Sequence, residues 1–202
     1  GFLVGLAVIL GICDFCFAPS GYVRFILHEV NRKDTQYDTI ILGASHARSA
    51  INPEYLDEEL GTNTLNLAIP GETVKDAYYL LKDACESNDV KTVIMDVDYQ
   101  YWMDEQPQGY FTEPFICQNI TNLKVKTEYL LDNWDTIDLR NVLVRRLSWD
   151  CTWSSVKQNV STKMTEAYRE YSIEAAGVDG KVEGADGPYT VSYTHLTLPT
   201  IA

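Results

Sequence analysis

Three short β-rich runs, two of them followed by a helical segment, constrain the fold of this chain more than any other feature. The runs are Tyr37–Leu42, Asn63–Ile69 and Val90–Val97. Strands that alternate with helices through short turns predict a parallel sheet with right-handed crossovers. We therefore expect an α/β fold.

Local signals mark both connecting segments as helices. In "NPEYLDEEL", Asn52 is the expected cap, Pro53 the first helical residue and Gly61 the stop. The segment "ETVKDAYYLLKDACES" places apolar residues at helical spacing, namely Val74, Ala77, Tyr78, Leu81 and Cys85. In open parallel sheets, ligands bind beyond the carboxyl ends of the strands. Four polar or glycine residues fall at such ends: Ser45, Gly71, Asp96 and Asp98.

The N-terminal run predicts a membrane anchor. Residues 1–17 are apolar except for Asp14, and a bilayer span needs ~20 apolar residues. We expect sequence before Gly1 to supply the remainder, so that residues 1–18 are part of an uncleaved transmembrane helix and residues 19–36 a connector. The core of a signal peptide and a buried helix are the alternatives. Pro19 argues against cleavage directly after Ala18.

The C-terminal stretch indicates an origin different from that of the rest of the chain. The stretch "VSYTHLTLPT" resembles the in-frame translation of a common transposon sequencing adapter. We expect residues 191–202 to be an artefact, His195 to carry no function, and the protein's own sequence to continue past Thr190. The globular domain is then residues 37–190, truncated at its C-terminus.

The alternation of strands and helices stops within this domain, near residues 99–120. Aromatic residues, including Tyr99, Tyr101 and Trp102, are mixed there with acidic residues, Gln, Pro and Gly. This irregular insertion either covers the site or is a long surface excursion, and its aromatic side chains either stack on a sugar or belong to the core.

Charge and cysteine content exclude some classes of function. The formal net charge is -13, with 29 acidic and 16 basic residues, which disfavours nucleic-acid binding because such proteins need a basic face. The five cysteines lack the spacing of metal ligands, and Cys13 and Cys16 lie inside the apolar run. We expect these two to be membrane-buried thiols and assign no disulfide.

The turn after the first β-rich run has the residues of a nucleophilic site. Gly43 allows a tight turn close to a substrate, and Ser45 follows it at the start of a helix. Such a turn exposes a hydroxyl and free backbone N–H groups, which acyl transfer needs for its nucleophile and its oxyanion. The alternative is that Ser45 only caps the helix.

Three segments resemble the SGNH or GDSL-type hydrolases, in particular the membrane-anchored branch with teichoic-acid D-alanylation proteins and cell-envelope polysaccharide O-acetyltransferases. They are "ILGASHA", "NLAIPGET" and "TVIMDVDYQYW", within residues 37–102. The resemblance implies a three-layer flavodoxin-like parallel sheet, Ser45 as nucleophile and Gly71 as a backbone oxyanion donor. The family's third segment usually offers an Asn, whereas Asp96 and Asp98 stand here. An ionised carboxylate repels an oxyanion.

Four further residues are candidate substrate contacts: His46, Arg48, Asn66 and Asp98. His46 adjoins Ser45 in sequence, which favours a structural or substrate-contacting role over that of base. Arg48 either binds an anionic group or is a solvated surface charge, and Asn66 and Gly71 either serve the site or only a turn. Asp96 and Asp98 either bind a divalent cation or cap the loop, and we expect no metal because no third ligand is apparent. We also expect no cofactor.

The resemblance implies a bacterial, single-pass membrane protein whose domain lies outside the cytoplasm. As an acyl esterase or O-acyltransferase it would act on a cell-envelope glycan or an acyl donor, with an Asp/His base that this sequence does not show. The alternative function is a non-catalytic scaffold that binds glycan or a membrane acyltransferase partner.

Overall fold

A computed structural model describes residues 1–18, 22–97, 112–135, 137–143 and 152–165. The elements, in chain order, are α1 (Phe2–Phe17), α2 (Tyr22–Glu29), β1 (Thr39–Leu42), α3 (Ser45–Ala50), α4 (Pro53–Leu60), β2 (Thr64–Asn66), α5 (Val74–Ser87), β3 (Thr92–Met95), α6 (Thr112–Asn119), α7 (Leu123–Asp132), α8 (Leu139–Leu143) and α9 (Trp153–Lys163).

The chain divides into two compact units. Described residues 30–97 form the sheet unit, and described residues 1–29 and 112–165 form the helical unit. The predicted domain at 37–190 thus includes residues of both units. Part of the segment predicted to be irregular forms helix α6.

The sheet unit confirms the predicted α/β class. Its strands pair in parallel in the order β2-β1-β3, with Ile41 opposite Asn66 on one side and Ile94 on the other. Every residue of β1 is buried, as expected for a central parallel strand covered on both faces. This order is compatible with a flavodoxin-like sheet, in which the first strand lies between the second and the third.

Both predicted connecting helices are present; α4 has its expected boundaries, whereas α5 begins at Val74, two residues after the start of the predicted segment at Glu72. In α4, Asn52 accepts a hydrogen bond from the Glu54 amide at 2.9 Å, Pro53 is the first helical residue, and Gly61 ends the helix with φ 66°. Local capping signals were therefore sufficient to place this helix.

Helix α5 is buried along a different face from the one its apolar residues suggest. Val74 and Tyr78 are exposed, whereas the buried residues include two acids, Asp76 and Asp83. Asp76 forms a capping box with Thr73, and Asp83 accepts a hydrogen bond from Asn31 at 2.9 Å. Because both carboxylates have partners, their burial is compatible with the fold.

The helical unit pairs α1 with α9 and α2 with α6. At the C-terminal end of α1, the Lys163 ammonium donates to the carbonyl oxygens of Phe15 at 2.8 Å and of Asp14 at 3.3 Å, and also to that of Ala18. A cation at a helix C-terminus interacts favourably with the carbonyl oxygens of the last turn and with the helix dipole. Lys163 is itself buried, so this contact fixes α9 against α1.

Helix α1 is formed by the run that predicts a membrane anchor. Its sixteen residues are fewer than the ~20 of a bilayer span. Within the described ranges, no helix is long and apolar enough to cross a membrane. The transmembrane helix of the predicted fold is therefore not found among these residues.

Candidate active site at the strand ends

The loop after β1 passes very close to the end of β3 and to α3. Gly43 has φ 143°, a conformation that L side chains rarely adopt. A Cβ on Gly43 would lie 2.8 Å from the Cβ of Ala47 and 2.9 Å from that of Asp96. Only glycine fits this position, and its absence of a side chain lets the ends of β1 and β3 meet the start of α3.

Ser45 is the first residue of α3 and is exposed to solvent. Ala44 is at the N-cap position, and its carbonyl accepts the Arg48 amide at 3.2 Å. The interpretation of Ser45 as the helix cap is therefore wrong. Its role as a nucleophile stays a prediction, and its exposure is what that role needs.

The chain forms a tight turn shortly after β2, at Ile69–Glu72. The Glu72 amide donates to the Ile69 carbonyl at 2.9 Å, and Gly71 has φ 76°. Pro70 in the second position and glycine with positive φ in the third define a type II turn. The predicted turn is thus confirmed, and Gly71 is exposed within it.

This turn is joined to the loop after β1 by hydrogen bonds. The Ile69 amide donates to the Gly43 carbonyl at 3.1 Å, which continues the pairing of β2 with β1 beyond the strands. On the other side, the Asp96 amide donates to the Leu42 carbonyl at 3.0 Å. The segments that carry Ser45, Gly71 and Asp96 therefore leave the sheet at one edge.

Asn66 holds the end of α3 against β2. Its amide nitrogen donates to the carbonyls of Ala47 and Ile51, each at 3.1 Å, and its oxygen accepts the Ala68 amide at 3.2 Å. The side chain is 2% exposed. All these contacts are with backbone, so the geometry supports a structural role for Asn66 more than a substrate contact.

The other candidate contacts have less defined positions. His46 and Arg48 are half-buried on α3. Asp98 lies outside the described residues, as do Tyr99, Tyr101 and Trp102. In the part of the chain that is described, no three His, Cys, Asp or Glu residues lie close enough together to hold a metal ion.

Glu72 is the residue that sequence reasoning missed. It is 3% exposed, and its Oε2 accepts the Ile69 amide at 2.9 Å. Burial raises the pKa of this carboxyl well above its usual range, and the nearby negative charge of Asp76 adds to that effect. The backbone amides of Ile69 and Gly43 act in the opposite direction, because they stabilise the charged form.

One signal in the sequence bears on the position of Glu72. The Thr73 and Asp76 capping box begins α5 after Glu72, which leaves this residue in the turn and not on a solvated helix face. The sequence contains no signal for its burial, because the burial arises from the approach of the turn to the loop after β1.

The sheet and these loops define an α/β protein with an exposed serine and a glycine turn at the carboxyl edge of a parallel sheet. Comparisons of the chain with protein-family models, curated proteins and solved structures found no match.

Proposed function

We propose that this protein is a serine acyl esterase or O-acyltransferase of SGNH-like type. One observation carries the proposal: the Ile69 amide binds the Gly43 carbonyl, which holds the turn with Gly71 beside the loop that leads to the exposed Ser45. This pairing lies at the carboxyl edge of the sheet, where open α/β sheets bind their ligands.

The proposed reaction begins with attack of the Ser45 hydroxyl oxygen on an acyl carbon. A base takes the hydroxyl proton, the leaving group departs with a proton, and an acyl ester remains on Ser45. The backbone N–H groups of Gly71 and Ser45 would stabilise the oxyanion. The resemblance to the family supplies an Asp/His pair as the base, and we assign that role to no described residue.

In the second step, the ester is transferred to an acceptor. Water as acceptor gives an esterase, and a hydroxyl of a cell-envelope glycan gives a transferase. The family resemblance further supports the finer proposal of a three-layer flavodoxin-like domain on the outer side of a bacterial membrane. We assign His46 and Arg48 to substrate contact, since both lie on the helix that Ser45 begins.

Labelling with a fluorophosphonate, which reacts covalently with activated serines, tests the nucleophile directly. Ser154 is the matched control, because it is an exposed serine in the first turn of α9. The full-length protein is treated with the probe, and the modified residue is identified by peptide mass spectrometry. We expect modification at Ser45 and none at Ser154, and no modification at position 45 in S45A. Equal labelling of the two serines, or of neither, would exclude the proposed chemistry.

A non-catalytic scaffold is the second candidate, and the position of Asp96 favours it. Asp96 lies against Gly43, where an ionised carboxylate would repel an oxyanion. A scaffold would bind its glycan or acyltransferase partner equally well in S45A and wild type. Acetylation of envelope glycan in cells that carry S45A, at normal protein level, distinguishes the two functions: it persists with a scaffold and is lost with an enzyme.

A further inference from the structure

We propose that Glu72 is a positioning residue that fastens the turn carrying Gly71 to the loop leading to Ser45. This inference deepens the proposed function, on which its catalytic consequence rests. Its structural part stands on the contacts of Glu72 alone.

The first support is the way Glu72 closes its own turn. Its amide binds the Ile69 carbonyl, and its Oε2 receives the Ile69 amide, both at 2.9 Å. Glu72 therefore binds both backbone polar groups of Ile69: its own amide binds the carbonyl, and its carboxyl binds the N–H. Because the same Ile69 amide also binds the Gly43 carbonyl, the carboxyl is attached at the point where turn and loop meet.

The second support is the unusual state of the other carboxyl oxygen. Oε1 is fully buried and has no hydrogen-bond partner among the described residues. Burial removes water from this oxygen, which makes the charged form of the carboxyl costly although the Ile69 and Gly43 amides favour it. The raised pKa of Glu72 agrees with a neutral side chain, which places no net charge at this junction.

Several titratable or charged side chains lie on the segments that meet at this junction. They are Asp76 on α5, Asp96 after β3, and His46 and Arg48 on α3. Of these, Asp76 acts on the Glu72 carboxyl by repulsion. Ionisation therefore drives the side chain toward water and loosens the turn, whereas a neutral amide in its place would stay.

The test compares E72A, E72Q and wild type by amide hydrogen exchange of the full-length protein. The observed group is the backbone amide of residue 72, which is bound to the Ile69 carbonyl. We expect roughly tenfold faster exchange in E72A than in wild type at pH 6, after correction for intrinsic rates, because a buried hydrogen-bonded anchor is lost. In E72Q the exchange rate of this amide should stay within about twofold of the wild-type rate, since the oxygen of the neutral Gln side chain can accept the Ile69 N–H.

A matched control is D83N. Asp83 lies on α5, is buried like Glu72, and accepts a hydrogen bond from Asn31. Exchange at residue 72 in D83N should equal that of wild type. Should E72A fail to fold, the comparison of wild type with E72Q decides. As the pH rises, wild type should exchange increasingly faster than E72Q, again after correction. Wild type and E72Q that remain equal at every pH would overturn the inference, as would slow exchange in a folded E72A.

Fluorophosphonate labelling of Ser45 in the same variants connects the inference to the proposed function. We expect the labelling rate to fall at least about tenfold in E72A and to be largely retained in E72Q and D83N. If exchange responds as expected and Ser45 labels equally fast in E72A, the positioning role is refuted. If Ser45 is unreactive in every protein, the proposed acyl chemistry fails, while the exchange rates still decide whether Glu72 fastens the turn.

Discussion

The backbone of Gly43 lies so close to Asp96 that a Cβ on the glycine would come within 2.9 Å of the Asp96 Cβ. This contact joins the ends of two neighbouring strands, and the Gly43 carbonyl also receives the Ile69 amide from the third strand end. All three strand ends therefore depend on one residue without a side chain. The candidate site is built around that point.

Replacing Gly43 by Ala should destabilise the protein strongly. The new Cβ would meet Ala47 and Asp96, and the φ of 143° is one that alanine rarely adopts. We expect a loss of about 3 kcal/mol in the free energy of unfolding, from backbone strain and overpacking together. Urea denaturation of G43A measures this loss.

The matched control for that change is G61A. Gly61 also has positive φ, at 66°, and nothing lies within 4 Å of its Cβ position. Only backbone strain applies there, so we expect a loss of about 1 kcal/mol. Equal losses in the two variants would show that Gly43 is not crowded.

Asn66 should be essential for stability, whatever its part in binding. Replacement by Ala removes the Asn66 partner of the Ile51 carbonyl and of the Ala68 amide, and leaves the Ala47 carbonyl with the Ile51 amide alone. We expect a loss of about 3 kcal/mol in the free energy of unfolding, because these backbone groups are at a buried position. Thermal or urea denaturation checks the value.

Asn63 provides the control for N66A. The side-chain nitrogen of Asn63 donates to the Gln36 carbonyl at 2.6 Å, and this contact is exposed. The N63A variant should lose about 1 kcal/mol or less, since water can replace the donor. A loss in N66A no larger than in N63A would contradict the structural role of Asn66.

The sequence predicts those parts of the fold that depend on neighbouring residues. The α4 boundaries follow from Asn52, Pro53 and Gly61, and the turn at Gly71 follows from Pro-Gly. Parallel pairing follows from the order of strands and helices, and β1 was recognisable as an apolar run. The capping and turn signals act within a few residues, and the order of strands and helices can be read along the chain, which is why one sequence was enough.

The remaining features depend on contacts between distant segments. Asp83 is buried because Asn31, 52 positions away, donates to it. Asn66 and Glu72 are ordinary polar residues in sequence, and their roles arise only when the loop after β1 approaches them. No periodicity or motif in the sequence predicts that two distant segments come together in this way. For the same reason, sequence alone could not distinguish a substrate contact from a structural amide at Asn66.

Cys117 and Cys85 should differ sharply in their reaction with iodoacetamide. Cys117 is completely buried, and that burial raises the pKa of its thiol to about 11. At pH 8, roughly one thiol in a thousand with such a pKa is ionised, and the thiolate is the reactive form. Cys85 is exposed, although partial burial and Glu86 raise its pKa somewhat.

We therefore expect alkylation at Cys85 at least about tenfold faster than at Cys117 in the native protein, as measured by peptide mass spectrometry. The same reaction in 8 M urea, where both thiols are exposed, is the control and should give similar rates. Fast native alkylation of Cys117 would show that the core of the helical unit is open.

Glu72 should make the protein less stable as the pH rises above 4.5. Its folded-state pKa lies well above that ordinary value, so the folded chain keeps the proton longer than the unfolded chain. Stability from this group is complete below pH 4.5 and decreases toward the folded-state pKa, by at most about 1.4 kcal/mol per pH unit. Asp34, Asp38 and Asp138 have lowered pKa values, and their contribution is instead lost at acidic pH.

The difference in unfolding free energy between E72Q and wild type isolates this contribution, because the other carboxyl groups are common to both. We expect the difference to move steadily in favour of E72Q between pH 4.5 and pH 8 in urea denaturation series, since the glutamine has no proton to lose. A difference that stays constant over this range would mean that Glu72 ionises in the folded chain as readily as in the unfolded one. A carboxylate would then sit at the junction of the strand ends, beside the groups that are proposed to hold an oxyanion, and the site would favour a cationic or hydrogen-bond-donating ligand over an acyl intermediate.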